Sequence, residues 1–175
     1  HAALGRRAEA ALKAAGLTAD TVVLRGDDIG ADAESVYQVL LGLDKGARTF
    51  IAIGSGTVTD VTRFVSHRSN SEFISLPTAA SVDGYTSIGA PMIIDGAKVT
   101  VGCQGPIAVF ADLPTLCAAP RALTAAGFGD LIAKLTSVAD WELGHLLWDE
   151  PFDAKIAQRA RQAVWDCVDK LDSLA

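Results

Sequence analysis

The seven residues Gly54-Ser55-Gly56-Thr57-Val58-Thr59-Asp60 follow the apolar run Phe50-Ile51-Ala52-Ile53 without a break, and this order of residue types suits the binding of a diphosphate. Glycines let backbone N–H groups approach an anion, and a helix opening at that point turns its partly positive end toward the charge. The spacing departs from the usual dinucleotide fingerprint, because with Gly54 first and Gly56 second the third position is Thr59. No Gly-Lys-Ser/Thr follows, so it is not a Walker A loop either. Thr57 and Asp60 make a T-x-x-D pattern, which predicts that Thr57 caps the helix while Asp60 returns to the N–H of the cap. A glycine turn with such a capping box also occurs where nothing binds, so the pattern alone leaves both readings open.

A second group of candidate residues lies in Thr78-Ala79-Ala80-Ser81-Val82-Asp83-Gly84-Tyr85-Thr86-Ser87. Its hydroxyls and small residues fall at what is expected to be a strand's carboxyl end, where open α/β sheets bind ligands. An ordinary turn-rich loop has the same composition. The third candidate is Asp130, in Gly127-Phe128-Gly129-Asp130 ahead of a long helical stretch. It reads either as a helix N-cap or as a metal ligand and substrate polariser. A catalytic zinc takes about three protein ligands. His145 is too distant to be one of them, since 15 residues of unbroken helix separate it from Asp130 by roughly 22 Å. His67 stands among Ser66, Arg68, Ser69 and Asn70, which look exposed. Both histidines are expected to be surface or packing residues, and the residues alone make no evident metal site.

Several elements must position these groups. Ala2 to Ala15 reads as a helix stopped by Gly16, Thr21 to Leu24 as a short strand, and Glu34 to Leu43 as a helix with Val36, Val39, Leu40 and Leu43 at helical spacing. Arg48 to Ile53 supplies the strand before the glycine loop, a helix continues to about His67, and Phe73 to Leu76 is the next strand, stopped by Pro77. This alternation predicts parallel βαβ units with helices on both faces of the sheet. Met92 to Ile94 and Lys98 to Val101 flank Asp95-Gly96, a hairpin signal, and Ile107 to Phe110 is expected as a last buried strand. Thereafter Pro114 to Ala119, Ala122 to Ala126, Leu131 to Trp148 and Pro151 to Leu174 read as helices. In the last of these, Ile156, Ala160, Val164, Cys167, Val168 and Leu171 share a face. The fold class is therefore α/β: residues 1–113 as a Rossmann-like nucleotide-binding domain, and residues 114–175 as the beginning of a helical domain.

Composition narrows the partners. A net charge of -6 with Lys and Arg scattered in ones and twos argues against nucleic acid, which needs clustered basic residues. No apolar stretch approaches the roughly 20 residues of a bilayer span, so no membrane insertion is expected. Cys103, Cys117 and Cys167 form no CxxC pair and no even set, so reduced thiols and a cytoplasmic setting are the default reading. The chain opens on His1 within a helix-like pattern, which reads as a fragment or processed product.

Three segments taken together, GSGTVTDVTRF at Gly54 to Phe64, LPTAASVDGYTSIGAPMIIDG at Leu76 to Gly96 and GFGDLIAKLTSVADW at Gly127 to Trp141, resemble the glycerol-1-phosphate dehydrogenase family. That family is a branch of the superfamily that also holds iron-containing alcohol dehydrogenases, glycerol dehydrogenases and 3-dehydroquinate synthases. The resemblance implies a Rossmann-like domain followed by a helical one, with cofactor and metal in the cleft between them. It implies interconversion of dihydroxyacetone phosphate and sn-glycerol 1-phosphate with NAD or NADP and zinc, in phospholipid biosynthesis. Carried over by motif, Gly54, Ser55, Gly56, Thr57, Val58, Thr59 and Asp60 would form the cofactor's diphosphate cradle. Thr78, Ser81 and Ser87 would contact the cofactor, Asp83 the phosphorylated small-molecule substrate, and Asp130 both substrate and metal as the catalytic carboxylate. Such members are much longer than 175 residues. The histidines that complete their metal site lie beyond the position of Ala175, and their first βα unit precedes that of His1. Alternatives are a polyol dehydrogenase, a dehydroquinate-synthase-like lyase, or a truncated nucleotide-binding domain without catalysis. Assembly as a homo-oligomer is compatible with all of them.

Overall fold

The computed structural model describes residues 2–26 and 28–171, which form two compact units. The first comprises His1–Ala80 and Gly84–Ala119, the second Ser81–Asp83 and Pro120–Ala175.

In the first unit, helices α1 (Ala2–Ala14) and α2 (Ala33–Leu41) precede strand β1 (Thr49–Gly54), helix α3 (Gly56–Arg68) and strand β2 (Glu72–Pro77). A single 3-10 turn (Gly84–Thr86) leads to β3 (Gly89–Ile94), β4 (Ala97–Gly102), β5 (Ala108–Val109) and α4 (Leu113–Cys117). Among the described residues β1, β2 and β5 form a parallel sheet in that order, with Gly54 in register with Pro77. Both candidate loops therefore leave the same, carboxyl edge of the sheet. Helix α3 packs against β1 and β2, where Ala52 and Phe73 are buried, and also against the β3 strand, its Thr59, Val61, Val65 and Ser66 being buried. The opposite face, with Ile51, Ile53, Ile74 and Leu76, is only partly covered. Strands β3 and β4 pair antiparallel about Asp95 and Gly96, both at positive φ, as a two-residue primed turn requires. This hairpin closes the core made by Ala31, Val61, Val65, Ala90 and Met92.

Two expected strands differ. Thr21 to Leu24 is not a strand: it pairs with no neighbour, and Val22 and Val23 are exposed. A strand needs a ladder partner for its N–H and C=O groups. Here the Gln38 amide takes that part for the adjoining Arg25, accepting from its N–H at 2.8 Å and donating to its carbonyl at 2.9 Å. The strand expected over Ile107 to Phe110 shrinks to Ala108–Val109, and its flanks Ile107 and Phe110 are more than half exposed.

The second unit contains α5 (Arg121–Ile132), α6 (Lys134–Trp148) and α7 (Ala154–Val168), packed through Val138, Gly144, Ala157 and Val164. The inward face of α7 centres on Ala157 and Val164, whereas Ile156 and Leu171, expected there, are exposed. Residues 172–174 of the expected last helix lie outside the described residues.

Candidate functional site

In the first unit the apolar strand β1 ends at Gly54, where a side chain would collide with Val58: a Cβ there would stand 2.6 Å from the valine Cβ and Cγ2. Glycine is therefore what allows α3 to begin immediately beside the strand end. Ser55 is the N-cap in an extended conformation, and its side chain takes none of the first-turn N–H groups. Thr57 is consequently inside the helix rather than its cap, and the expected capping box does not form. The Asp60 carboxylate is drawn instead to Arg63, with Nη1 donating to Oδ1 at 2.6 Å. The Arg63 guanidinium one turn away is itself charged, so its bond to the carboxylate adds ion-pair attraction that a neutral cap N–H lacks. Burial pushes the Asp60 carboxyl up to about 6 against the pull of Arg63.

The second segment is tied directly to the first, since the Thr78 N–H donates to the Gly54 carbonyl at 3.1 Å. Thr59 Oγ1 and Thr78 Oγ1 are buried and have no hydrogen-bond partner within the chain. Ser75 Oγ, in the middle of β2, is buried and unpartnered as well, but Thr59 in the first turn of α3 and Thr78, bonded to Gly54, are the two that stand where the strand opens into the helix, and such hydroxyls could complete the donor set for a diphosphate. Ser87 lies farther along, its Oγ accepting from the Gly89 N–H at 2.9 Å. The residues present thus fit the diphosphate of a dinucleotide.

Arg63, which the sequence reading passed over, organises this loop. Its side chain is 1% exposed, yet Nη1 donates to Asp60 and to the Gly89 carbonyl at 2.8 Å, and Nη2 to the carbonyls of Gly84 and Tyr85 at 2.9 and 3.2 Å. Its one signal in the sequence is the i,i+3 spacing from Asp60. The Tyr85 hydroxyl adds a bond to the Ala79 carbonyl at 2.6 Å.

In the second unit the structure brings together two residues 47 apart in sequence: the Asp83 N–H donates to Asp130 Oδ2 at 2.8 Å. The Asp83 carboxylate in turn meets Lys134 Nζ at 2.6 Å, a cation also missed, although it sits four residues after Asp130. Ser81, of the same short segment, is buried. Asp130 is no N-cap. It lies inside α5, which runs through Gly127 and Gly129 and ends only at Ile132. Packing of α5 against α6 and α7 outweighs the roughly 1 kcal/mol that each interior glycine costs a helix. The helix is also broken at Ala133, so Asp130 and His145 are not on one continuous helix. His145 serves packing: Nδ1 bonds the Glu150 carbonyl at 2.7 Å, and the ring stacks on Phe152 with centroids 5.6 Å apart. His67 is exposed, but its neighbour Ser66 is fully buried, contrary to expectation.

Among the described residues no three His, Cys, Asp or Glu side chains stand close enough to hold a metal ion, so Asp130 and its neighbours do not by themselves make up a zinc site. Among the described residues no helix is long and apolar enough to cross a membrane.

Residues 1–120 match the family model described as iron-containing alcohol dehydrogenase. The chain is 50% identical to the glycerol-1-phosphate dehydrogenase [NAD(P)+] of Geobacillus thermodenitrificans, over 85% of this chain and 37% of that protein. It is 42% identical to the enzyme of the same name from Bacillus velezensis, over the whole of this chain and 45% of that one. It spans less than half the length of these curated relatives. An iron-containing alcohol dehydrogenase of Thermotoga maritima superposes with a TM-score of 0.63 over 74% of this chain and 41% of that one, at 11% identity, and so shares the fold. The glycine loop and the Rossmann-like sheet agree with the family model matched over residues 1–120, and the chain belongs to the iron-containing alcohol dehydrogenase family.

Proposed function

We propose that this chain carries the cofactor-binding part of an NAD(P)-dependent oxidoreductase that interconverts dihydroxyacetone phosphate and sn-glycerol 1-phosphate. One observation carries the cofactor reading: the strand end at Gly54 opens directly into α3 beside the buried, unpartnered hydroxyls of Thr59 and Thr78. Similarity to the glycerol-1-phosphate dehydrogenases supports the choice of substrate.

In this reading residues 1–113 form the nucleotide-binding domain and 114–175 begin the metal and substrate domain. The first-turn N–H groups of α3 and the hydroxyls of Thr59 and Thr78 hold the diphosphate, while Ser81 and Ser87 bind toward the ribose and nicotinamide. When bound, the nicotinamide supplies or accepts the hydride. Asp83 orients substrate hydroxyls. Lys134, held beside Asp83, offers a cation to a phosphate group. Asp130 is the carboxylate assigned to zinc by resemblance, and the described residues do not complete a ligand set around it.

The test uses the intact gene product that contains this segment, supplied with zinc. Oxidation of NADH or NADPH on addition of dihydroxyacetone phosphate is expected, with glycerol 1-phosphate accumulating. Turnover with unphosphorylated polyols alone, or release of inorganic phosphate without net cofactor consumption, would overturn the assignment.

A further inference from the structure

We propose that Arg63 is a positioning residue for cofactor binding: it clasps the Gly84–Gly89 loop to the helix that opens the diphosphate cradle, and so holds Ser87 in place. The inference rests on the nucleotide-binding reading given above. It starts from a cost. A guanidinium removed from water loses several kcal/mol of hydration, and a side chain of this length is almost never fully buried unless its donors are matched. Arg63 matches four of its five N–H donors, and only Nε lacks an acceptor.

The identity of the acceptors is what gives the residue a role. Apart from Asp60 they are backbone carbonyls 21, 22 and 26 residues away, at Gly84, Tyr85 and Gly89. Those carbonyls bracket Ser87 on both sides. Other bonds on the segment are short-range or at its ends: the Ser87 N–H to the Gly84 carbonyl, the Ser87 hydroxyl at Gly89, the Tyr85 hydroxyl at Ala79, the Cys103 N–H at the Ile88 carbonyl, and the pairing of Gly89 with Gly102 where β3 begins. The planar fork of Arg, unlike the point charge of Lys, can serve three carbonyls and a carboxylate at fixed angles. Asp60 lies one turn earlier on α3 and holds the fork in its plane. Arg63 therefore joins the helix that begins at the cradle to the loop that carries a second cofactor contact, and the two move as one.

The experiment compares wild-type intact protein with Arg63→Lys and Arg63→Met. It reads hydrogen exchange at the amides of residues 84–89 without cofactor, and the Kd for NADH and NADPH by fluorescence. If the clasp keeps the loop ordered, exchange in Arg63→Lys accelerates at residues 84–89 while the α3 amides of residues 61–68 stay protected. The cofactor Kd rises about tenfold, as expected when the binding-competent population falls to about a tenth. Arg63→Met follows the same order with a larger rise, and Lys gives partial rescue relative to Met. Should Arg63→Met fail to fold, Arg63→Lys alone decides. Wild-type affinity in the Lys variant, or exchange rising uniformly through the unit, overturns the clasp while leaving the dehydrogenase reading intact. A wild-type protein that binds neither NADH nor NADPH removes the cofactor reading and this inference with it.

Discussion

The glycine loop of the first unit and the acidic cluster of the second use charge in opposite ways. Around Gly54 the charged groups are hidden: Arg63 is fully buried, Asp60 is mostly so, and their partners are backbone carbonyls and one another. Around Asp130 they are open, with Lys134 40% exposed and each group held by one or two contacts. On the proposed reading the glycine loop binds through backbone amides and needs its backbone fixed, which buried ion pairs with several hydrogen bonds do. On the same reading the acidic cluster binds through side chains and needs them reachable, and water-exposed pairs leave them so. The first region should therefore govern stability, and the second should be almost silent in it.

The strongest way to break that contrast is Arg63→Met. Loss of the cation leaves Asp60 without its ion pair and removes the bonds that the Gly84, Tyr85 and Gly89 carbonyls accept from it, so a cost of about 3 kcal/mol or more is expected from urea denaturation of the intact protein. A cost below about 1 kcal/mol would mean that the buried pair does not organise the loop. Gly54→Ala comes next, at about 1–3 kcal/mol, because the new methyl must displace the Val58 side chain from 2.6 Å. Combining it with Val58→Gly, which removes the Cβ as well as the two methyls, should make the pair cost less than the sum of the single losses, which thermal melting of the four proteins would show.

A third, smaller effect concerns pH. Burial lifts the Asp60 carboxyl from an ordinary 3.8 to about 6, so the folded chain keeps a proton that the unfolded chain has lost, and stability falls as pH rises between those values. Asp60→Asn lacks this slope. Relative to wild type it should gain about 1 kcal/mol from about pH 4 to about pH 7, after allowing for partial solvent screening. Denaturation midpoints across that range that stay parallel would contradict it. The smallest effect belongs to the other region: Lys134→Met should change stability by less than about 0.5 kcal/mol, since exposed ion pairs contribute little. If it instead rivals Gly54→Ala, the contrast between the regions fails.

Local signals in the sequence mostly matched the structure where local physics decided it. Asp95-Gly96 reads as a hairpin because both residues tolerate positive φ, and the hairpin forms there. The run Phe50 to Ile53 followed by glycine reads as a strand opening a helix, and it is one. One local signal fails, the T-x-x-D capping box, because Asp60 turns to Arg63 three residues on; the other failures are long-range. Thr21 to Leu24 has strand-like residues but no partner, and pairing is not a property of the segment itself. Gly127 and Gly129 look like a helix boundary until packing with two other helices carries α5 through them. Arg63 looked like one more scattered basic residue, because its three carbonyl acceptors lie more than twenty positions downstream. The resemblance assigns Asp83 and Asp130 to one substrate but not to each other, and both their bond and the contact of Lys134 with Asp83 depend on how α5 and α6 are placed about Ala133.

The close fit of Val58 against Gly54 has a thermodynamic corollary. A strand end and a helix start that leave no room for one methyl group between them have little freedom to lose when an anion arrives. Capture by this joint should incur a small ordering penalty, and its affinity should respond more to ionic strength than to temperature-dependent loop motion.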